Sequence, residues 1–279
     1  MQSEFYFFIV PFLTCLVLSG IHCYLGFHVL AREVIFVDLS LAQIAALGST
    51  LSLLFQIEHD AQWTYFISLF ATLLASLVFA LARKYSKKIS QEAIIGITYA
   101  FGSAAVVIVV DKMAHGAEHI KSLMVGQLLW VSRADLLKTF LIYTAVGAVH
   151  FVFRKNFIAA STGELKKNRA FWDFLFYALF GVIITSSVQL AGVLQVFAYL
   201  IVPASVANIF FKSFKNKLLF GWFLGAFVSF LGLMLSYYAD VPTGACLVVL
   251  FTSIPLVLLF IFPFLKLDSK TTRYSLFFS

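Results

Sequence analysis

The sequence predicts an all-α protein, a polytopic transmembrane helical bundle of eight or nine spans. Three observations carry that reading. Of 279 residues, 62% are hydrophobic and only 12% are charged, with 33 Phe, and the mean hydropathy is +0.97. A chain this apolar has no water-compatible surface to offer as a globule, whereas hydrocarbon can solvate all of it. Apolar runs close to the roughly 20 residues a helix needs to cross a bilayer recur along the chain, separated by short polar connectors. Basic residues gather in alternate connectors, the distribution of the positive-inside rule. Soluble enzymes, disordered tails and secreted disulfide scaffolds are excluded together.

In chain order the runs lie at about 5–27, 34–56, 62–82, 93–110, 138–153, 171–188, 190–211, 218–237 and 243–264. The first has no basic region before it and no small-residue cleavage site, so it is expected to stay in the membrane rather than be removed as a signal peptide. The second carries a charge, Asp38, inside its apolar stretch. The third and fourth flank Arg83, Lys84, Lys87 and Lys88. After the polar connector 111–121, the run 122–131 is too short to cross and reads as a re-entrant or interfacial piece. The run 138–153 is also short, and whether it crosses decides between eight and nine spans. The connector 154–169 is the longest on its side and is interrupted by Ser161, Thr162 and Gly163; a short helix along the membrane surface suits it. The last four runs alternate with a connector holding Lys212, Lys215 and Lys217 and with a turn at Asp240, and a polar tail, 266–279, closes one predicted domain of 1–279. With nine spans, sixteen of the twenty Lys and Arg fall on one side. That side is then the cytoplasm, with the N-terminus outside and the C-terminus inside an inner (cytoplasmic) membrane.

The net charge of +7 does not imply a nucleic-acid partner, because no continuous basic face with interleaved aromatics is present. Cys15, Cys23 and Cys246 lie far apart in apolar runs, without a C-x-x-C pair, and read as packing residues. No G-x-x-x-x-G-K-[ST] loop or dinucleotide fingerprint occurs, so any ATP that drives this chain binds another subunit. Charge inside an apolar span is costly and is by default a functional-site hypothesis, which singles out Asp38. On a helix Asp38, Ala42, Ala45 and Ser49 share one face, so a carboxylate looks along a stripe of small residues that another helix or a narrow pathway can approach. His115-Gly116-Ala117-Glu118-His119 reads H-x-x-E-H. If helical, it places His115 and His119 on one face beside Glu118, an arrangement able to bind a divalent metal and also the signature of one class of metallopeptidase. Glu58-His59-Asp60 reads as an external turn, and His22, His28 and His150 as isolated imidazoles at or near span ends.

The run Phe36-Val37-Asp38-Leu39-Ser40-Leu41-Ala42-Gln43-Ile44-Ala45-Ala46-Leu47-Gly48 resembles the second-helix signature of the ABC transporter permeases for zinc, manganese and iron. Four further blocks resemble that family in the same order. They are Glu92-Ala93-Ile94-Ile95-Gly96-Ile97, the segment from Val125 to Ser132, the Gly192-Val193-Leu194 to Pro203-Ala204 block, and the turn from Leu235 to Gly244. The resemblance covers most of the chain. It implies a homodimeric permease for a divalent metal ion, bound to a cytoplasmic ABC ATPase that hydrolyses the ATP and fed by an extracytoplasmic metal-binding protein, with no covalently bound cofactor. It places Phe157, Ala160 and Gly163 at the recurrent positions of the ATPase-coupling helix, and Asp38 in the transport pathway. The family's usual motif has a His four residues after the Asp, whereas position 42 here is Ala. Gln43 lies about 140° from the Asp38 face and cannot replace it. His115, Glu118 and His119 then stand as candidate ligands at the outer mouth, alongside Asp38. A stand-alone secondary metal transporter and a membrane metallopeptidase working through Glu118 are the alternatives.

Overall fold

The computed structural model describes the backbone of residues 2–55, 62–86, 88–113, 116–165 and 167–261, with side chains from Phe8 onward. Among these residues there are eleven α-helices and no strand. They are α1 Gln2–Arg32, α2 Val37–Leu54, α3 Gln62–Lys84, α4 Gln91–Val110, α5 Gly116–Val125, α6 Arg133–Val152, α7 Arg154–Thr162, α8 Arg169–Ala191, α9 Val193–Phe210, α10 Phe214–Ala239 and α11 Thr243–Ile261. All but α5 and α7 are long and apolar enough to cross a membrane, giving nine candidate spans.

Nine rather than eight is decided at α6. The short apolar run 138–153 is the later part of a 20-residue helix that begins at Arg133. Its start is set by a reciprocal cap: the Asp135 N–H donates to Ser132 Oγ at 3.1 Å, and the Ser132 N–H donates to the Asp135 carboxylate at 3.2 Å. Segment 122–131 does not cross. It holds the end of α5 and a 3-10 turn, Leu128–Trp130, and α5 begins earlier than the apolar run, inside the stretch read as a polar connector.

Helices α2, α8 and α9 form the interior; α1, α10 and α11 pack around α9, α3 lies on α2 and α8, and α4 lies on α2. Such proximity needs small residues at the crossings. At Gly48 a Cβ would collide with the Ser68 backbone of α3. The break between α8 and α9 turns on Gly192, at φ 78°. Gly126, at φ 70°, nests against it so closely that a Cβ on either would strike the other segment's backbone. The Gln127 N–H donates to the Leu190 carbonyl at 3.0 Å and closes this end of the bundle. Outward-facing Phe66, Phe70, Ile97, Phe101, Ile108, Phe223, Phe227 and Phe230 are exposed, a surface that suits hydrocarbon and not water. At the opposite end Arg32, Arg83, Asp173 and α7 meet, so connectors assigned to one side by charge lie together. This is the basic end of the bundle.

Candidate functional site

The α2 helix opens from the basic end with Phe36 as its N-cap and no side-chain cap, and Asp38 stands in its first turn, where the exposed amides and the helix dipole favour an acid. Asp38 is 1% exposed, and neither buried carboxylate oxygen has a hydrogen-bond partner among the described residues. Ala42, Ala45 and Ser49 are buried along the same face. Gln43 is committed elsewhere: a Cβ on Gly102 of α4 would press on its Cβ, so it serves the α2–α4 contact.

That contact supplies an acid that the sequence reading treated only as part of a motif block. Ser90 caps α4, its Oγ accepting the Ala93 N–H at 3.2 Å, which sets Glu92 in the first turn. Glu92 is half-buried at the start of the helix that packs along α2. Its Oε2 is buried without a partner among the described residues. Two acids therefore stand in the first turns of α2 and α4, helices that pack on one another. Glu92 was hard to pick out because acids at the start of a helix are ordinary; the only signal was an S-x-E opening before an apolar run.

The other predicted ligands lie elsewhere. Glu118 and His119 are on α5, and His119 Nε2 is 3.2 Å from Thr50 Oγ1. Thr50 follows Asp38 by twelve residues, about 18 Å along a helix. His119 is therefore at the far end of α2 from Asp38, and Asp38, Glu118 and His119 do not form one ligand set. His115 lies outside the described residues, as do Glu58, His59 and Asp60 and the tail 266–279. Among the described residues no three His, Cys, Asp or Glu side chains converge as a metal cluster.

The connector 154–169 contains α7, a nine-residue helix whose C-cap is Gly163 at φ 82°, and the Leu165 N–H closes on the Ala159 carbonyl at 3.0 Å. Phe157 and Ala160 are fully buried, so they face the bundle and anchor α7. The outward face carries Arg154, Lys155, Thr162 and Gly163. The Phe157 ring stacks on His150 of α6, centroids 4.0 Å apart and planes within 8°, with the Trp172 edge 5.5 Å away. His28 and His150 are not isolated: their rings lie 5.9 Å apart, and Tyr24 Oη is 3.3 Å from His150 Nδ1. The three cysteines are buried and free, as packing residues.

A bundle of nine candidate spans, with a buried carboxylate that has no hydrogen-bond partner among the described residues in its most enclosed helix and a short helix latched across one end, has the architecture of a multi-pass membrane permease. The chain belongs to the ABC 3 transport family, which matches residues 4–262. The "Probable iron transport system membrane protein" of Haemophilus influenzae is 25% identical over 193 residues, 67% of this chain and 68% of that protein. The manganese import system permease protein ScaB of Streptococcus gordonii is 28% identical over 196 residues, 68% of this chain and 70% of that protein. The solved structure titled "PsaBC from Streptococcus pneumoniae in complex with Fab" shares the fold, with a TM-score of 0.75 at 21% identity and 98% of both chains covered. The chain is a transport subunit and not an enzyme, which sets aside the metallopeptidase reading of Glu118. The secondary-transporter reading has no support from these relatives.

Proposed function

We propose that this chain is the membrane subunit of an ATP-driven importer of a divalent transition-metal ion, working by alternating access in the inner (cytoplasmic) membrane. The observation that carries the reading is the buried Asp38 carboxylate, whose oxygens have no hydrogen-bond partner among the described residues, in a helix packed against the one that Glu92 opens. A carboxylate held out of water without a donor is costly; a divalent cation passing beside Asp38, within reach of the acid that opens α4, offsets that cost. Carboxylate oxygens suit manganese and iron(II), and zinc binds them as well. The relatives are named for iron transport and for manganese import, which supports manganese or iron as the cargo ahead of zinc. Without an imidazole at position 42 the ion is held loosely, and a pathway must release what it binds. His119 and Glu118, with His115 before them, would receive the ion at the other end of α2.

In this reading residues 1–279 form one permease domain that pairs with a second copy around the pathway. A cytoplasmic ABC ATPase docks on the outward face of α7, where Arg154 and Lys155 offer charge and Gly163 offers open backbone. An extracytoplasmic metal-binding protein delivers the ion to the far side. The basic end faces the cytoplasm, the N-terminus lies outside and the C-terminus inside.

The test is radiometal accumulation in cells stripped of their own importers, expressing this chain with and without its ATPase, for manganese, iron and zinc. Uptake that requires the ATPase and falls in Asp38→Asn supports the proposal. Uptake without the ATPase, or uptake indifferent to Asp38→Asn, overturns it.

A further inference from the structure

The basic end holds a group of buried charges that the pathway does not use. Arg32, the last residue of α1, has a side chain with no exposure, and its Nη1 donates to Asp173 Oδ1 of α8 at 2.7 Å. Its Nε donates to Ser161 Oγ of α7 at 3.0 Å. Its guanidinium lies over the Phe176 ring at 4.0 Å. Ser161 Oγ is also 2.9 Å from His28 Nδ1, one turn back on α1. From α3, Arg83 Nη2 donates to the Ala160 carbonyl at 3.0 Å, and its Nη1 is 3.4 Å from the same Asp173 oxygen. Arg169 approaches the other Asp173 oxygen at 3.7 Å from a half-exposed position.

Three features make this more than a stabilising ion pair. The last turn of α7 is tied twice and to different spans: by the Ser161 side chain to α1, and by the Ala160 carbonyl, which a helix C-terminus leaves unpaired, to α3. One carboxylate, Asp173, accepts a hydrogen bond from Arg32 and stands as the counter-ion of Arg83, so α1, α3 and α8 cannot part without separating opposite charges away from water. One turn earlier on the same buried face, α7 is held to α6 by the Phe157–His150 stack. A nine-residue helix has little stability of its own, yet here it is bolted to four spans.

We infer that Arg32, Asp173, Arg83 and Ser161 form a rigid joint that makes α7 move as one body with the basic ends of α1, α3 and α8. They are then positioning residues that convert a push on α7 into movement of spans. The inference rests on the reading that the ATPase docks on α7. Rigid transmission is what a coupling element requires, because a helix that slid over the bundle would absorb the stroke.

The experiment uses the full complex of permease, ATPase and metal-binding protein in proteoliposomes, reading metal transported per ATP hydrolysed. In Asp173→Asn the assembled complex is expected to keep hydrolysing ATP while that ratio falls about tenfold, with Asp173→Glu recovering part of it. An unchanged ratio in the assembled Asp173→Asn complex overturns the joint. Because Asp173→Asn leaves Arg32 buried without its anion and could fail to fold, the double variant His28→Cys/Ser161→Cys gives an independent arm. Before bridging it has lost the Ser161 tether and should couple poorly; a short bifunctional thiol reagent that ties α7 to α1 should raise the ratio again. A bridge that blocks transport means that α7 travels relative to α1 and refutes the joint. Lys155→Glu, on the outward face, separates the two readings. If the ATPase still binds and couples normally there, the docking reading fails and takes the joint with it; if binding is lost while Asp173→Asn couples normally, the joint alone fails.

Discussion

Replacing Phe157 by Ala tests what holds α7 to the bundle. The ring is fully buried, stacked on His150 at 4.0 Å with planes within 8°, and edged by Trp172 at 5.5 Å. Truncating a buried Phe costs about 3–5 kcal/mol, of which aromatic pairing supplies about 0.5–1.5 kcal/mol. The helix has nine residues, too few to persist in water unaided, so the loss falls on its local opening and not on the spans, which the bilayer retains. An opening free energy lower by about 3–4 kcal/mol corresponds to roughly 10²–10³-fold faster amide exchange across α7. The assay is hydrogen–deuterium exchange by mass spectrometry in nanodiscs, comparing peptides from α7 with peptides from α9. Phe157→Leu keeps most of the volume and should cost less than about 1.5 kcal/mol. If α7 exchange in Phe157→Ala stays within about threefold of the parent, less than about 1 kcal/mol, the ring is not the anchor and the polar tethers alone hold the helix.

Asp38→Asn is close to isosteric and removes a buried charge whose oxygens have no partner among the described residues, so melting in detergent should be unchanged or higher while metal uptake falls about tenfold or more; a clear loss of thermal stability would show that the carboxylate is structural. Gly48→Ala puts a methyl group on the Ser68 backbone and should destabilise the α2–α3 contact by about 1–3 kcal/mol, read as a lower melting temperature; an unchanged value would refute that crossing. Gly163→Val meets no neighbour within 4 Å but must adopt φ 82°, a cost of about 1–3 kcal/mol from backbone strain alone, whereas Gly163→Asn should cost much less. Exchange confined to the last turn of α7 checks this, and equal behaviour of the two variants would sink it.

The spans were legible in the sequence because one signal, apolar length, dominates in a membrane. The start of α6 was blurred because the chain there is polar: Ser132-Arg133-Ala134-Asp135 is a capping signal that hydropathy cannot see. Asp38 was legible for the same reason as the spans, as a charge where none is expected. Glu92 was not, since it becomes part of a site only when α4 packs on α2. Arg32 and Asp173 are 141 residues apart, and each sits at the edge of its apolar run, where a charge draws no attention. His28 and His150 read as isolated because their neighbours come from other helices. Local rules find elements and lone anomalies; clusters assembled by tertiary packing leave no trace at any one position.

Two kinds of buried charge therefore share the basic end, and their energetics differ. Arg32 and Asp173 compensate each other at 2.7 Å, and removing either partner would cost about 3–5 kcal/mol. Asp38 has no such partner among the described residues, so its burial is a standing cost that packing does not repay. The chain connects the two arrangements directly. Arg32 is followed by a tight turn, with Glu33 at φ 57° and the Val34 N–H closing on the Val29 carbonyl at 3.3 Å, and α2 begins at Val37, next to Asp38. Arg83 is joined by one short connector to α4 and Glu92. Each joint arginine thus stands one connector away from one of the two acids that open α2 and α4. Under the proposed function, a displacement of α7 carried by Arg32 and Arg83 reaches Asp38 and Glu92 through these connectors without passing through the bundle core. Widening the gap between the starts of α2 and α4 separates the two carboxylates and lowers their hold on a shared cation. The stroke on the outside of the joint and the release of the ion are then the same movement.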